Sequence, residues 1–185
     1  MIEEEGGRIE KNVSELIGPE FVQKPIFILN GQVFPNPVLF SNSSIQTPVL
    51  RPLLGPVHGD CHSQNVFVKA GKDSSVLDLS IIDLATFQPD SPIFFDHAYL
   101  ELATLLRKLN QLGERRWCNL VEGLSKECSE QKVEPSERGW LEDILAARKD
   151  VFRLADEQYP DRQDDLRLQF LLAQVSAGLA FLHKI

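Results

Sequence analysis

The sequence predicts an α+β fold with its helices segregated from a small sheet. Three observations carry that reading. Two apolar segments near the middle of the chain face each other across a turn-rich connector. Apolar residues recur at helical spacing from Pro92 onward. Prolines at 35, 37, 48, 52 and 56 keep the stretch from Gln32 to Pro56 out of regular helix. With 185 residues the chain is long enough for one domain with a real core, and its 43% hydrophobic and 25% charged residues read as soluble and globular.

Residues 1–24 form a charged lead-in with one weak helical patch around Val13 to Ile17. "PIFIL", Pro25 to Leu29, is a short strand ended by the turn pair Asn30-Gly31. Lys24 beside it reads as a linker lysine. From Gln32 to Pro56 extended or looped chain is expected, because proline fixes φ and removes amide donors. "NVFVK", Asn65 to Lys69, and "VLDLSIID", Val76 to Asp83, are strands, and "AGKDSS" closes them into a hairpin. Asp78 is expected to face solvent there.

Everything after Pro92 reads as helix. Phe95, Ala98, Tyr99, Leu102, Leu106 and Leu109 share one face of a first helix, and Trp117, Leu120, Val121, Leu124 and Cys128 mark a second. Ser136 reads as the N-cap of a third, which carries Trp140, Ile144, Ala147, Val151 and Leu154 and is broken by Tyr159-Pro160-Asp161. A fourth carries Leu168, Leu171, Leu172, Val175, Leu179 and Leu182. Its run "FLLAQVSAGLAFL", Phe170 to Leu182, is too short for a bilayer and is broken by Gln174 and Ser176, so a buried core helix is expected. No Gly cap or Pro follows, which reads as a polypeptide continuing past 185.

A formal net charge of −8 sets aside a reader of nucleic-acid backbones, which needs clustered Lys and Arg. A nucleotide partner stays open, because metal ions can carry its charge. The cysteines, Cys61, Cys118 and Cys128, are few and odd in number, which argues for a reducing interior over a disulfide framework. "MIEEEGGRIEKN" has no apolar h-region, so a cytoplasmic protein with no membrane partner is expected.

The chemistry concentrates in "VHGDCHSQNVFV", Val57 to Val68. Phosphoryl transfer needs a carboxylate near the attacking hydroxyl and hard oxygen ligands for magnesium. Asp60 supplies the first, and the amide of Asn65 supplies an oxygen of the second kind. Asn65 begins the hairpin and Asp83 ends it, and a hairpin sets its outer ends side by side. Those two residues are therefore the expected metal ligands. Magnesium suits such a set, with few protein oxygens and the rest from water and phosphate.

"HGDCHSQNVFV" followed by "IIDLA" resembles the kinase-like phosphotransferases of the aminoglycoside phosphotransferase and choline kinase group. Their catalytic loop reads His-Gly-Asp-x-His-x-x-Asn, and His58, Asp60, His62 and Asn65 occupy its fixed polar positions. "FFDHAYLELATLL" is similar to the group's Asp-x-Ala segment, with Asp96 and Ala98 in place. Within the group, "DLATFQPDSPIFFDHAYLELA" most resembles a bacterial branch, the ternary complex associated domains, which are kinase-like modules linked to signalling or conflict systems. The resemblance implies Asp60 as catalytic base or hydroxyl-orienting carboxylate, Asn65 and Asp83 as Mg²⁺ ligands, His58 and His62 as braces of the loop, and Asp96 as its anchor. It covers Val57 to Leu106. It further implies ATP as phosphoryl donor, a small-molecule hydroxyl as acceptor, and a kinase-like C-lobe.

Only 57 residues precede His58, and none forms a G-x-G-x-x-G or a strand with a Lys–Glu pair. The expectation is a C-lobe with its N-lobe largely missing: residues 1–56 as lead-in and inter-lobe connection, and 57–185 as the lobe. Within the lobe, 57–83 is the catalytic loop and hairpin, and 92–185 is the helical part. Net negative charge suits a cationic acceptor such as an amino sugar or choline. Two rivals stand beside this reading. One is a catalytically reduced interaction module, with further domains of the same polypeptide as partners. The other is a zinc-dependent hydrolase built on His58, Asp60 and His62. Cys61 reads as a small filler, His97 as a helix-surface residue, and Trp117 and Trp140 as core anchors.

Overall fold

The computed structural model describes residues 11, 13–15, 18–29, 31–40, 50–73, 75–125 and 135–181. Ile17, Asn30, Cys128, Leu182 and His183, which the sequence assigns to a helical patch, a turn and two helices, lie outside the described residues, as does the acidic start up to residue 10. The architecture is mixed α+β, with small antiparallel hairpins first and a helical region after them. Contacts divide the chain into two units, residues 51–174, and residues 1–50 together with 175–185.

In the unit containing the N-terminal residues, a helical turn, α1 (Pro19–Val22), leads into β1 (Ile26–Leu29) and β2 (Gln32–Pro35), and α2 (Pro37–Phe40) follows. β1 pairs antiparallel with β2 from Ile26↔Pro35 to Leu29↔Gln32, so a two-residue connection joins them, with Gly31 at φ 77°. Gln32–Pro35 take the extended half of the sequence reading, pairing as a strand whose last member is Pro35. Asn36 is buried and satisfies its surroundings completely. Its Nδ2 donates to Phe21 O at 2.9 Å and Lys24 O at 2.8 Å, and its Oδ1 accepts from Val38 N at 3.0 Å, capping α2. Val13, Val22 and Val38 make the small core. Lys24 sits with its Nζ 4.5 Å from the Phe21 ring centroid.

The larger unit opens with β3 (Leu54–Val57), followed by β4 (Val66–Ala70) and β5 (Val76–Ile81). A 3₁₀ turn (Leu84–Thr86) leads to β6 (Gln88–Pro92). β4 and β5 pair from Val66↔Ile81 to Ala70↔Val76. β3 pairs with β6, with Leu54↔Pro92 and Val57↔Gln88 in register and a shift between Gly55 and Val57. Neither β3 nor β6 was expected. "LGPV" and "QPDSP" lack the alternation of a strand, and Pro56 falls at the irregularity, where no ladder donor is required. Asp78 is exposed and folds its Oδ1 back onto Leu79 N at 2.9 Å.

Four long helices follow: α3 (Phe95–Leu112), α4 (Glu114–Ser125), α5 (Pro135–Gln158) and, after a 3₁₀ turn at Pro160–Arg162, α6 (Gln163–Phe181). Proline at the first position of α5 moves the start upstream of Ser136, which therefore lies inside the helix and accepts from Arg116 Nη2 at 3.2 Å instead of capping it. Leu105, Leu112, Leu120, Leu124, Leu141 and Ile144 form the main core, with Trp117 and Trp140 packed against it. A second knot of rings joins Phe94, Phe152 and Phe170, with centroids 5.1–6.3 Å apart. α6 is only partly the buried helix expected. Phe170, Ala173 and Ala177 are buried, whereas Leu171, Leu172 and Val175 are exposed. Among the described residues no helix is long and apolar enough to cross a membrane.

Candidate functional site

The segment between β3 and β4 is folded by hydrogen bonds from three directions. Asp96, in the first turn of α3, accepts both His58 N at 2.6 Å on Oδ2 and Gly59 N at 2.9 Å on Oδ1. A carboxylate at a helix N-terminus is favoured by the helix dipole, and here it also gathers two otherwise unpaired amides. Thr86, in the 3₁₀ turn, donates Oγ1 to His58 O at 2.8 Å. Gly59 has φ 81°, and a Cβ there would lie 2.6 Å from Thr86 O. Both conformation and space therefore demand glycine.

His58 is a buried structural crosspiece. Its Nε2 donates to Ile82 O at 2.7 Å, and its Nδ1 accepts Asp60 N at 3.3 Å. The two bonds assign the proton to Nε2. They also commit both ring nitrogens to backbone, which leaves neither for a zinc ion. Among the described residues no three His, Cys, Asp or Glu side chains are grouped to hold a metal ion.

Asp60 and Asn65 are joined directly. Asn65 Nδ2 donates to Asp60 O at 3.0 Å, Asn65 N to His62 O at 2.8 Å, and Ile82 N to Asn65 O at 3.0 Å. With its amine side engaged, the Asn65 amide retains Oδ1 as its acceptor. The Asp60 carboxylate accepts the hydroxyl of Tyr99 on Oδ1 at 2.6 Å, and its Oδ2 lies 3.8 Å from His62 Nε2. Tyr99 is 1% exposed, so this bond fixes the carboxylate from beneath. The sequence assigned Tyr99 only to the apolar helix face. The signal for its second part was its place three residues after Asp96, on the side of α3 that meets the loop.

Asp83 reaches the site through backbone. It directly follows Ile82, whose N and O are the groups bonded to Asn65 and His58. It is the one non-glycine residue with positive φ among those described, at φ 60° and ψ 66°. Aspartate tolerates this left-handed conformation better than most residues, yet at some cost. Its carboxylate is exposed and makes no hydrogen bond or ion pair among the described residues.

Cys61 is buried inside the loop, and its thiol is pushed up to about 11 by burial first, and then by the charges of Asp96 and Asp60. A thiol so raised is a poor nucleophile at neutral pH. Ser63 accepts from Arg107 of α3. His97, expected on the helix surface, is instead half-buried against Phe170, with centroids 5.4 Å apart, and its Nε2 is buried without a hydrogen-bond partner among the described residues. Phe170 comes from α6, an element the local reading of α3 could not place beside it.

Together the loop presents one oriented carboxylate, one amide oxygen and one exposed carboxylate at the entry and exit of the β4–β5 ribbon. These are hard oxygen donors, the set that magnesium takes, and they carry no thiolate or free imidazole. Comparison with protein-family models, curated proteins and solved structures finds no match for the chain.

Proposed function

We propose that the chain is the C-lobe portion of a kinase-like phosphotransferase that uses ATP and Mg²⁺ to phosphorylate a hydroxyl of a small molecule. One observation carries the reading. Asp60, Asn65 and the backbone before Asp83 belong to a single hydrogen-bonded assembly, held by Asp96, His58 and Tyr99. Asp60 receives the hydroxyl proton as the acceptor oxygen bonds to the γ-phosphorus and the bond to ADP breaks. The Tyr99 hydroxyl holds that carboxylate in one orientation. Asn65 and Asp83 would hold Mg²⁺, which when bound neutralises phosphate charge. Asp96 fixes the loop through its amides and does not touch substrate. The negative net charge supports a cationic acceptor.

The test is titration with ATP in the presence and absence of Mg²⁺, followed by assay of phosphoryl transfer, on the complete native polypeptide. Asp83→Ala is expected to abolish the Mg²⁺-dependent part of nucleotide binding. Asp60→Asn is expected to lower transfer by about 10²–10⁴-fold while leaving nucleotide affinity nearly intact. Mg²⁺-dependent binding unchanged in Asp83→Ala would remove the two-ligand site.

A second reading, a kinase-like interaction module, is favoured by the β4–β5 ribbon. Phe67, Val68, Val76, Leu77 and Leu79 alternate across both faces, and each is more than half exposed. Two strands alone do not bury such surface, and a further domain of the same polypeptide would. Transfer-dead but intact binding to that domain in Asp60→Asn is common to both readings. Only the enzyme predicts turnover by the unsubstituted protein.

A further inference from the structure

The helical region forms a cleft of about 1310 Å³, open on one side, lined from α3, α4, α5 and α6. Small-molecule sites are concave, mostly apolar clefts with a few placed polar groups, and this cleft has that character. Its walls are mostly apolar, with Leu102, Val121, Leu145, Phe152 and Phe170 among them. Two polar atoms in the lining residues stand out. Trp117 Nε1 and Asp156 Oδ1 are buried and have no hydrogen-bond partner among the described residues. Each such orphan is destabilising unless something pairs with it.

Most of the charges in the wall are paired, and Lys149 is exposed to solvent. Arg148 and Glu101 are paired through both guanidinium arms, and Gln174 Nε2 donates to Glu101 Oε1 at 3.1 Å. Asp156 has Arg167 3.9 Å away on its other oxygen. What the cavity lacks is an acceptor for an indole N–H and a donor for a carboxylate oxygen. Its buried ion pair, Arg148 with Glu101, needs no further counter-ion.

We propose that this cavity is a binding site for a neutral, largely apolar ring compound bearing a hydroxyl group. Its ring body fills the space against Phe152 and Phe170, and its hydroxyl oxygen accepts a hydrogen bond from Trp117 Nε1–H. The site is separate from the loop at Asp60. Ala98, Leu102 and Leu105 line the cavity from α3, while Tyr99 of the same helix points at Asp60. The inference therefore does not depend on phosphoryl transfer.

The test uses the full chain and three probes of one shape: 2-naphthol, naphthalene and 2-naphthoate. Binding is followed by quenching of tryptophan fluorescence and by the shift in melting temperature. The expected result is one saturable site at which 2-naphthol binds about tenfold tighter than naphthalene, a gap equal to one hydrogen bond. The anionic 2-naphthoate is expected to bind more weakly than 2-naphthol. Trp117→Phe keeps the aromatic wall and removes the N–H, and Leu145→Trp fills the space. The first is expected to weaken 2-naphthol binding and the second to abolish it, with far-UV circular dichroism reporting that each variant is folded. Absence of saturable 2-naphthol binding would overturn the proposal, as would equal affinity for all three probes. Should Leu145→Trp unfold, affinity for 2-naphthol unchanged in Trp117→Phe overturns it on its own.

Discussion

Two loop amides, those of His58 and Gly59, converge on one carboxylate, Asp96. Nothing in either residue's own neighbourhood would otherwise satisfy them, because the chain turns there through Gly59 at φ 81°. Asp96→Ala is therefore expected to destabilise the fold by roughly 2 kcal/mol, since it strands two partly buried donors that had a charged partner. The check is the urea midpoint of the variant against that of the parent at equal slope. Tyr99→Phe provides the contrast. It removes one hydroxyl from Asp60 and leaves the ring in the core, so its stability loss is expected to be smaller than that of Asp96→Ala. A Tyr99→Phe cost matching that of Asp96→Ala would mean that Asp60, and not Asp96, organises the loop.

At the scale of elements, α3, α4, α5 and α6 meet around one ion pair. Arg148 of α5 binds Glu101 of α3 through Nε at 2.8 Å, and its Nη1 reaches Leu124 O near the end of α4 at 2.7 Å. Gln174 of α6 completes the shell. The Glu101 and Arg148 side chains are 7% and 14% exposed. Arg148→Met alone is expected to cost about 3 kcal/mol, because Glu101 is left charged without its guanidinium partner. Glu101→Leu with Arg148→Met is expected to recover most of that loss, and thermal unfolding of the parent and the two variants checks the pattern. The same helices show what could be read from the sequence. Their existence and approximate limits follow from apolar spacing within each segment, as does the β4–β5 hairpin from its turn residues. The inner faces do not. Nothing local singles out Glu101 or Arg148, which meet only when α5 is laid across α3, and His97 reads as a surface residue until Phe170 is laid against it. β3 and β6 were illegible for a related reason, because each is a strand only through its partner. At the site, the residue types and order were legible in "HGDCHSQN". The bond from Tyr99 and the backbone-only approach of Asp83 were not, since both depend on how the loop is seated.

For the whole molecule, the buried Cys61 and the half-buried His97 set opposite limits on stability against pH. Burial is the main cause that pushes the His97 imidazole below its ordinary 6.5, with Glu101 opposing and Arg148 adding to it. Below pH 6.5 the unfolded chain takes up a proton that the folded protein refuses, so stability is lost as pH falls. Cys61 acts the other way. Between its ordinary 9.0 and its folded value of about 11, the unfolded chain has released a proton that the folded protein keeps, so stability is lost as pH rises. For these two groups stability is therefore flat from 6.5 to 9.0 and falls on both sides. Urea unfolding at about pH 5.5, about pH 7.5 and about pH 10 is the measurement. His97→Leu is expected to flatten the acid limb and leave the alkaline limb in place, and Cys61→Ala is expected to do the reverse. The two limbs arise on different elements, one in the loop and one on α3. Suppression of both by one substitution would mean that loop and helix titrate as a single unit.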